Sequence, residues 1–547
     1  MELYSLSFVL LVTVGLVLYY TVLRRYQWLC LLAISLVFFA ASGWQGIFFL
    51  FFTALTVWGG GLWLARLDAD CAARRKVPGI TKDEKKAVKA KTQRHKKGVV
   101  ALVLVTNFLV LGYFKYWSYF VRLLAGAVAA TAPSALGLVM PLGISFYTFQ
   151  AIGYLIDCFR GRHPAEKNPA RFLLFISFFP QLIQGPINRY GAMEPQLTAA
   201  HSWEWERTKR ALFVILFGAM KKYAIANLTA PTIAAILDRN DPTLAGSMAL
   251  LAILLYSLQQ YADFSGGIDM VLGVAQLFGI EMMPNFRQPY FSTSLGDFWR
   301  RWHISLGAWM RDYLFYPFAL TKPMQRFGKW ATGHWGKHFG RVLPAAVANL
   351  LVFAVVGIWH GPQAHYLVWG LYNGMVIALA DLLEPAFKKM NTALHIPTES
   401  RAWLIFRILR TFVIVNIGWY FDRVGLSLGA AYLRNTFVSF HPEALVPFTY
   451  KGAVYALPTS FDFPVMFYRT DVFEMLGISV PKTWDDFFET AAVLQKNNLT
   501  AGITWTDAYN TLLYQSGGNY YNSSLTESML QSGASQSAFE KTVKLYT

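Results

Sequence analysis

Two histidines sit where an imidazole can do chemistry. His360 closes Gly357-Ile358-Trp359-His360 at the end of an almost wholly apolar run, 342–359, and a second apolar run, 365–383, follows almost at once. His303 closes Asp297-Phe298-Trp299-Arg300-Arg301-Trp302-His303, an aromatic and cationic stretch. A titratable side chain among apolar segments is costly unless it faces protein or water, so by default it marks a functional site. A neutral imidazole there can act as a general base, because its ordinary pKa lies near neutrality. The other reading of His360 is a packing residue that donates to a backbone carbonyl. Gly361 and Pro362 come next, and proline cannot continue a helix without losing a backbone hydrogen bond. The expectation is a tight turn or kink that delivers His360 into an internal chamber, since broken backbone at membrane depth needs protein or water to satisfy it.

Other polar groups are candidates to line such a chamber. The stretch from Gln259 and Gln260 through Asp263, Ser265 and Asp269 sets two amides and two carboxylates beside an apolar run. Asp263 can pair with His360 or His303, or the set can form a structural hydrogen-bond network. Ser265 lacks the strand–turn–helix context of a nucleophile. Residues 179–190 read as a broken or re-entrant segment, with Gln184 and Asn188 as pore-lining candidates. Trp359 joins the cavity-lining set. Arg300 and Arg301 can steer an anionic reactant, while the aromatic residues of 297–316 equally suit an interfacial helix with its rings at headgroup level. The chain holds no Gly-rich phosphate cradle, no His-Glu-x-x-His and no cysteine pair at zinc spacing, so no metal or bound cofactor is expected. Cys30, Cys71 and Cys158 are scattered and imply no disulfide framework.

The elements that must hold these residues are membrane helices. The chain has 547 residues, is 55% hydrophobic and only 15% charged, a deficit of charge that argues for lipid as solvent. Apolar runs at 6–23, 28–40, 47–65, 99–120, 136–156, 211–235, 248–258, 342–359, 366–383 and 406–420 are candidate spans. The expected fold is an all-α polytopic membrane protein of about ten to twelve membrane helices, with re-entrant and interfacial helices. The first run has Arg24-Arg25 after it rather than a basic start, which fits a retained helix with its amino end outside. Residues 66–97 hold twelve Lys or Arg against four acids and are expected to form a cytoplasmic loop. The formal charge of +18 then reflects orientation and anionic lipid, and nucleic acid is not an expected partner.

Composition changes near residue 442. From Glu443 onward there are six Lys or Arg and ten Asp or Glu, with no apolar run long enough to span a membrane. Two domains are expected, 1–442 in the membrane and 443–547 as a small soluble α/β piece. Strands are expected at 454–458 and 464–468, helices at 471–476 and from Thr483 through 494, and a turn at Gly517-Gly518. Tyr450-Lys451-Gly452-Ala453-Val454-Tyr455-Ala456-Leu457-Pro458 and Pro481-Lys482-Thr483-Trp484-Asp485-Asp486-Phe487 make this tail similar to part of an extracellular solute-binding protein of ABC importers. Only about a hundred residues carry that likeness, so the tail is expected to be a fragment of such a protein.

Residues 1–440 resemble the membrane-bound O-acyltransferase family. The likeness rests on Asp297-Phe298-Trp299-Arg300-Arg301-Trp302-His303 and Gly357-Ile358-Trp359-His360-Gly361. Pro141-Leu142-Gly143-Ile144-Ser145-Phe146, Phe179-Pro180-Gln181-Leu182-Ile183-Gln184-Gly185-Pro186 and Tyr261-Ala262-Asp263-Phe264-Ser265-Gly266 add to it. The closest look is to the bacterial branch that acetylates alginate or peptidoglycan and loads D-alanine onto teichoic acids. The resemblance implies His360 as the essential histidine and His303 as a second site position. It further implies acyl-CoA or an acyl carrier protein thioester as co-substrate on the cytoplasmic side, and an envelope polysaccharide as acceptor. A secreted or membrane-anchored acyltransferase partner and a multi-pass place in the bacterial cytoplasmic membrane are implied as well. The reading from another class is a polytopic transporter or flippase for an envelope precursor, for which buried ionisable residues and broken helices are equally suited.

Overall fold

The computed structural model describes residues 5–125, 140–439, 449–450, 453–454, 468–499, 501, 508–522, 524 and 526–546. The chain divides into two compact units, Met1–Pro442 and Glu443–Thr547.

The regular elements of the first unit are all helices among its described residues, with one isolated antiparallel bridge between Phe286 and Trp302. Helix α1 (Leu6–Tyr20) begins where the Ser5 hydroxyl accepts from the Phe8 N–H, and α2 (Gln27–Ser42) returns beside it. Helices α3 (Gly46–Arg75) and α4 (Lys82–Ala125) form a long hairpin. The expected basic loop is therefore mostly helix, with only 76–81 left as a turn. Lysine, alanine and glutamate favour helix, Thr81 and Glu84 cap α4 reciprocally, and Lys96 pairs with Asp68 at 2.7 Å.

Helices α5 (Ile144–Phe159), α6 (Pro169–Ser177), α7 (Phe179–Gln184) and α8 (Tyr190–Thr198) follow. The 179–190 segment is broken as expected, a short helix and then extended chain, and Phe178, Phe179 and Leu182 are fully buried. Helix α9 (Trp205–Ala219) runs through a π-helical stretch, Met220–Ala226, into α10 (Asn227–Leu237), packing along α11 (Gly246–Leu277). Next come α12 (Leu295–Arg301), α13 (Ile304–Met310), a π-helical stretch Arg311–Phe315, α14 (Tyr316–Ala319) and α15 (Lys322–Trp335). The unit closes with α16 (Lys337–His360), α17 (Ala364–Leu382), α18 (Glu384–Ala393), α19 (Arg401–Val424) and α20 (Leu426–Val438).

Among the described residues five helical stretches are long and apolar enough to cross a membrane, and six if the pair α17 and α18, bent by 56°, counts as one. This multi-pass membrane architecture has fewer such helices than the ten to twelve expected. Two apolar runs give α1 and α2, of 15 and 16 residues, shorter than the roughly 20 residues that cross a hydrocarbon core. The run ending at Ile156 gives α5, whose sixteen residues are mostly buried against other helices.

The described part of the second unit contains α21 (Thr470–Leu476), α22 (Trp484–Lys496), α23 (Ala508–Gln515) and α24 (Gly533–Tyr546). Thr483 caps α22 as its sequence requires, accepting from the Asp486 N–H at 3.1 Å. Backbone N–H groups of Lys482 and Thr483, with the Thr483 hydroxyl, hold the Asp486 carboxyl below its ordinary pKa. Gly517 takes the left-handed conformation a turn needs. Thr449–Tyr450 pairs with Ala453–Val454 in an antiparallel ladder. The expected strands at 454–458 and 464–468 otherwise lie outside the described residues, Tyr468 excepted.

Candidate active site

The hairpin of α16 and α17 is held by glycines. A Cβ on Gly357 would lie 2.4 Å from the Tyr366 carbonyl oxygen, and one on Gly370 would lie 2.2 Å from that of Phe353, so only glycine permits this approach. Helix α16 ends at His360, and Gly361 with Pro362 makes the turn into α17. The last carbonyls of a helix lack intrahelical partners and carry its negative pole. Helix α4 supplies both a donor and a cation there. The Tyr116 hydroxyl donates to the Ile358 carbonyl at 2.6 Å, and the Lys115 ammonium donates to that of Trp359. Lys115 Nζ also lies 4.9 Å from the centre of the Trp359 ring. The Trp359-His360 end is thus clamped by residues some 240 positions earlier in the chain.

His303 breaks the helical stretch that the sequence predicts over 297–316. Its φ of 47° and ψ of 52° are left-handed, a conformation costing a non-glycine residue about 1 kcal/mol or more. Neighbouring backbone bonds sustain it, Arg287 N–H to the Arg301 carbonyl at 2.9 Å and Ile304 N–H to that of Asn285 at 3.0 Å. The turn brings the aromatic residues inward. Phe298, Trp302, Trp309 and Tyr313 are buried, which corrects their expected headgroup placement, while Trp299 donates its indole N–H to Asn373 at 3.0 Å.

His303, Trp359 and His360 line one cavity of about 390 Å³, together with Phe146, Tyr256, Gln260, Phe264, Trp299, Tyr366, Trp369, Asp422 and others. Ring centres lie 6.3 Å apart for His303 and Trp359 and 5.1 Å apart for Trp359 and His360. His303 is 6% exposed, and its Nε2 has no hydrogen-bond partner among the described residues. Trp359 also lines a second, mainly apolar cavity of about 280 Å³ between α4, α5, α13 and α16.

Of the polar residues in the first cavity, Gln260 belongs to the expected set, whereas Tyr256 and Asp422 escaped the sequence reading. Tyr256 donates to the buried Asp422 carboxylate at 2.8 Å, and the Gln260 amide donates to the Tyr256 hydroxyl. The available signal was Asp422-Arg423 just past the apolar run 406–420, the same pattern that exposed His360.

Several expected cavity residues lie elsewhere. Asp263 is bound by Lys222, Ser265 accepts from Lys221 at 2.9 Å, and Lys221 pairs with Asp269 at 2.6 Å. These contacts seam α11 to the π-helical stretch, and neither Asp263 nor Ser265 lines the cavity or pairs with a histidine. Gln260 and Phe264, one helical turn apart, occupy the cavity face instead. Asn188 is buried in a bridge, donating to Gln181 at 3.1 Å and accepting from the Met283 N–H at 3.0 Å. Gln184 also lies outside the cavity lining, and its Oε1 has no hydrogen-bond partner among the described residues. Arg300 and Arg301 pair with Asp297, Arg300 with its side chain 72% exposed, and neither borders the cavity.

Chemically, the cavity joins two imidazoles, a carboxylate, a guanidinium and two phenols within aromatic walls. Such a set can take, hold and return a proton in a space with little water. Among the described residues no three His, Cys, Asp or Glu side chains gather closely enough to hold a metal ion.

Comparison with known proteins places this cavity in context. Residues 158–334 match the membrane-bound O-acyltransferase family, and residues 423–547 match the bacterial extracellular solute-binding protein family. A probable alginate O-acetylase of Pseudomonas syringae is 33% identical over 414 residues, covering 74% of this chain and 69% of its relative. A peptidoglycan O-acetyltransferase of Helicobacter pylori is 31% identical over 356 residues, 60% of this chain and 62% of that protein. A teichoic acid D-alanyltransferase of Bacillus subtilis is 29% identical over 360 residues, 59% of this chain and 84% of the relative. Matches of that identity and coverage, reached independently of the cavity, make the chain a member of the membrane-bound O-acyltransferase family.

Proposed function

We propose that residues 1–442 move an acetyl or D-alanyl group from a thioester donor to hydroxyls of a cell-envelope polysaccharide or teichoic acid, in the bacterial cytoplasmic membrane. The observation that carries this reading is the shared cavity of His303 and His360. His360 acts as general base, taking the hydroxyl proton as the oxygen attacks the thioester carbonyl. The thiolate leaves and is protonated, giving a free thiol and an ester. His303 orients a reactant beside it. Trp359 separates the reacting cavity from the apolar one and borders both. Acyl-CoA or an acyl-loaded carrier protein serves as donor from the cytoplasmic side, and a secreted or membrane-anchored partner completes transfer to polymer. Residues 443–547 form a separate unit similar to a solute-binding protein.

The test uses the full chain in proteoliposomes with an acyl thioester donor and an oligosaccharide acceptor. Wild type should release free thiol, which a transporter would not do. His360→Ala should lower release at least 100-fold at unchanged protein level, the range expected for loss of a general base. Release near the wild-type rate would refute the assignment.

A further inference from the structure

We infer that Asn285 is a positioning residue that holds His303 as the Nδ1–H tautomer, leaving Nε2 to accept a hydrogen bond from a hydroxyl of the acceptor other than the one that reacts. The inference rests on the acyl-transfer reading above.

The tautomer follows from donor–acceptor logic around one oxygen. Asn285 is 1% exposed, and its Oδ1 receives the Ser305 N–H at 3.0 Å and the Ser305 hydroxyl at 2.9 Å. A backbone N–H only donates, so the amide atom facing it must be the oxygen. His303 Nδ1 lies 3.2 Å from that same oxygen and must therefore carry the hydrogen. A neutral imidazole has one N–H, so Nε2 keeps its lone pair, and Nε2 is the ring nitrogen without a partner among the described residues.

The ring is not free to turn over. Phe264 meets it edge to face at 4.8 Å, and the left-handed backbone of His303 is pinned on both sides. Ser305 is itself tied down, its hydroxyl accepting from the Ile187 N–H at 3.0 Å. Flipping the imidazole would replace Nδ1 by Cδ2–H and lose this hydrogen bond, and the other tautomer would set an unprotonated Nδ1 against the Asn285 oxygen, two acceptors face to face.

The consequence is a division of labour. A neutral His303 in this tautomer cannot donate through Nε2 to developing negative charge; it can only receive a hydrogen. Because the reacting hydroxyl gives its single hydrogen to His360, the one that His303 receives comes from a second hydroxyl. The site then favours an acceptor with more than one hydroxyl, as a polyol or a sugar has. The titratable and charged groups that line the same cavity are Tyr256 from α11, His360 from α16, Tyr366 from α17, and Asp422 and Arg423 from α19.

The direct test is the ¹⁵N spectrum of histidine-labelled full chain, with His303 assigned by its loss in His303→Gln. Nδ1 should resonate as a protonated nitrogen and Nε2 as an unprotonated one at neutral pH. The reverse pattern would overturn the inference, and this reading needs no variant at Asn285. Kinetics supply the second arm. Asn285→Ala frees the ring and should raise the acceptor KM about tenfold, the worth of one hydrogen bond, with the donor KM unchanged. Asn285→Asp keeps the Oδ1 acceptor and should restore the acceptor KM at high pH. Its carboxylate favours the imidazolium, which cannot accept, so the acidic limb of kcat/KM should move up by about one pH unit. Asn285 variants with the wild-type acceptor KM and pH profile would leave Asn285 a packing residue only. Failure of the wider reading looks different, because His360→Ala would then retain transfer.

Discussion

Helix α11 carries two buried polar clusters, and they differ in one respect. Towards α9 and the π-helical stretch, Lys221 and Lys222 meet Asp269, Asp263 and Ser265 in a seam of ion pairs and hydrogen bonds. Towards α16 and α19, Tyr256 and Gln260 face a cavity where His303 Nε2 and Trp359 Nε1 are buried without partners among the described residues. Buried polar groups are normally paired, so a set left open calls for an explanation outside the fold. The satisfied cluster holds helices together; in the proposed function the open one meets a reactant. Residue type alone does not separate them, since carboxylates and hydroxyls occur in both.

Substitutions can break or sharpen this contrast. The largest effect on rate is expected at the open cluster, where His303→Ala removes the ring that orients the acceptor and should lower thiol release at least tenfold, the worth of one hydrogen bond, while thermal unfolding stays near wild type. Equal losses of rate and folded protein would make His303 a structural residue. At the closed cluster the pattern should invert. Lys221→Met strands the Asp269 carboxylate and should destabilise the chain by about 3 kcal/mol, with the rate per folded molecule retained. Adding Asp269→Leu should recover much of that stability, as unfolding midpoints would reveal. Gly357→Ala tests the hairpin under the site; prising α16 from α17 should cost about 1–3 kcal/mol and lower transfer together, read from the same two assays. The smallest effect lies in the second unit. Thr483→Ala should cost α22 about 1 kcal/mol of helix stability, seen as faster hydrogen exchange over 484–496, with transfer untouched. The Asp486 half of that cap has a sign in pH. Its folded pKa is depressed, so its contribution is complete above the unfolded value of about 3.9 and fades as pH falls through the folded one.

What the sequence made legible was local. Pro362 announces the end of α16 at His360, and Thr483 with Asp486 announces the start of α22, because proline lacks a donor and a hydroxyl caps the nearest N–H groups. The basic stretch at 66–97 misled, because positive charge reports orientation but lysine and alanine also extend helices. Asn285 gave no signal at all. It is one polar residue in an irregular segment, and its meaning comes from an oxygen that three groups reach from positions 18 and 20 residues on. Asp263 and Ser265 form the structural network that was one of their two readings, and their place outside the cavity was not legible because their cationic partners lie some forty residues away on another helix.

The account depends on reactants reaching His360, and chemical labelling tests that most directly. A chain with Cys30, Cys71 and Cys158 replaced by alanine and His360→Cys added would carry its one thiol at the proposed base. A small water-soluble thiol reagent should modify it, and a non-transferable analogue of the acyl thioester should slow the reaction. A thiol at position 360 that stays unmodified in folded protein, or reacts at the same rate with the analogue present, would contradict the account.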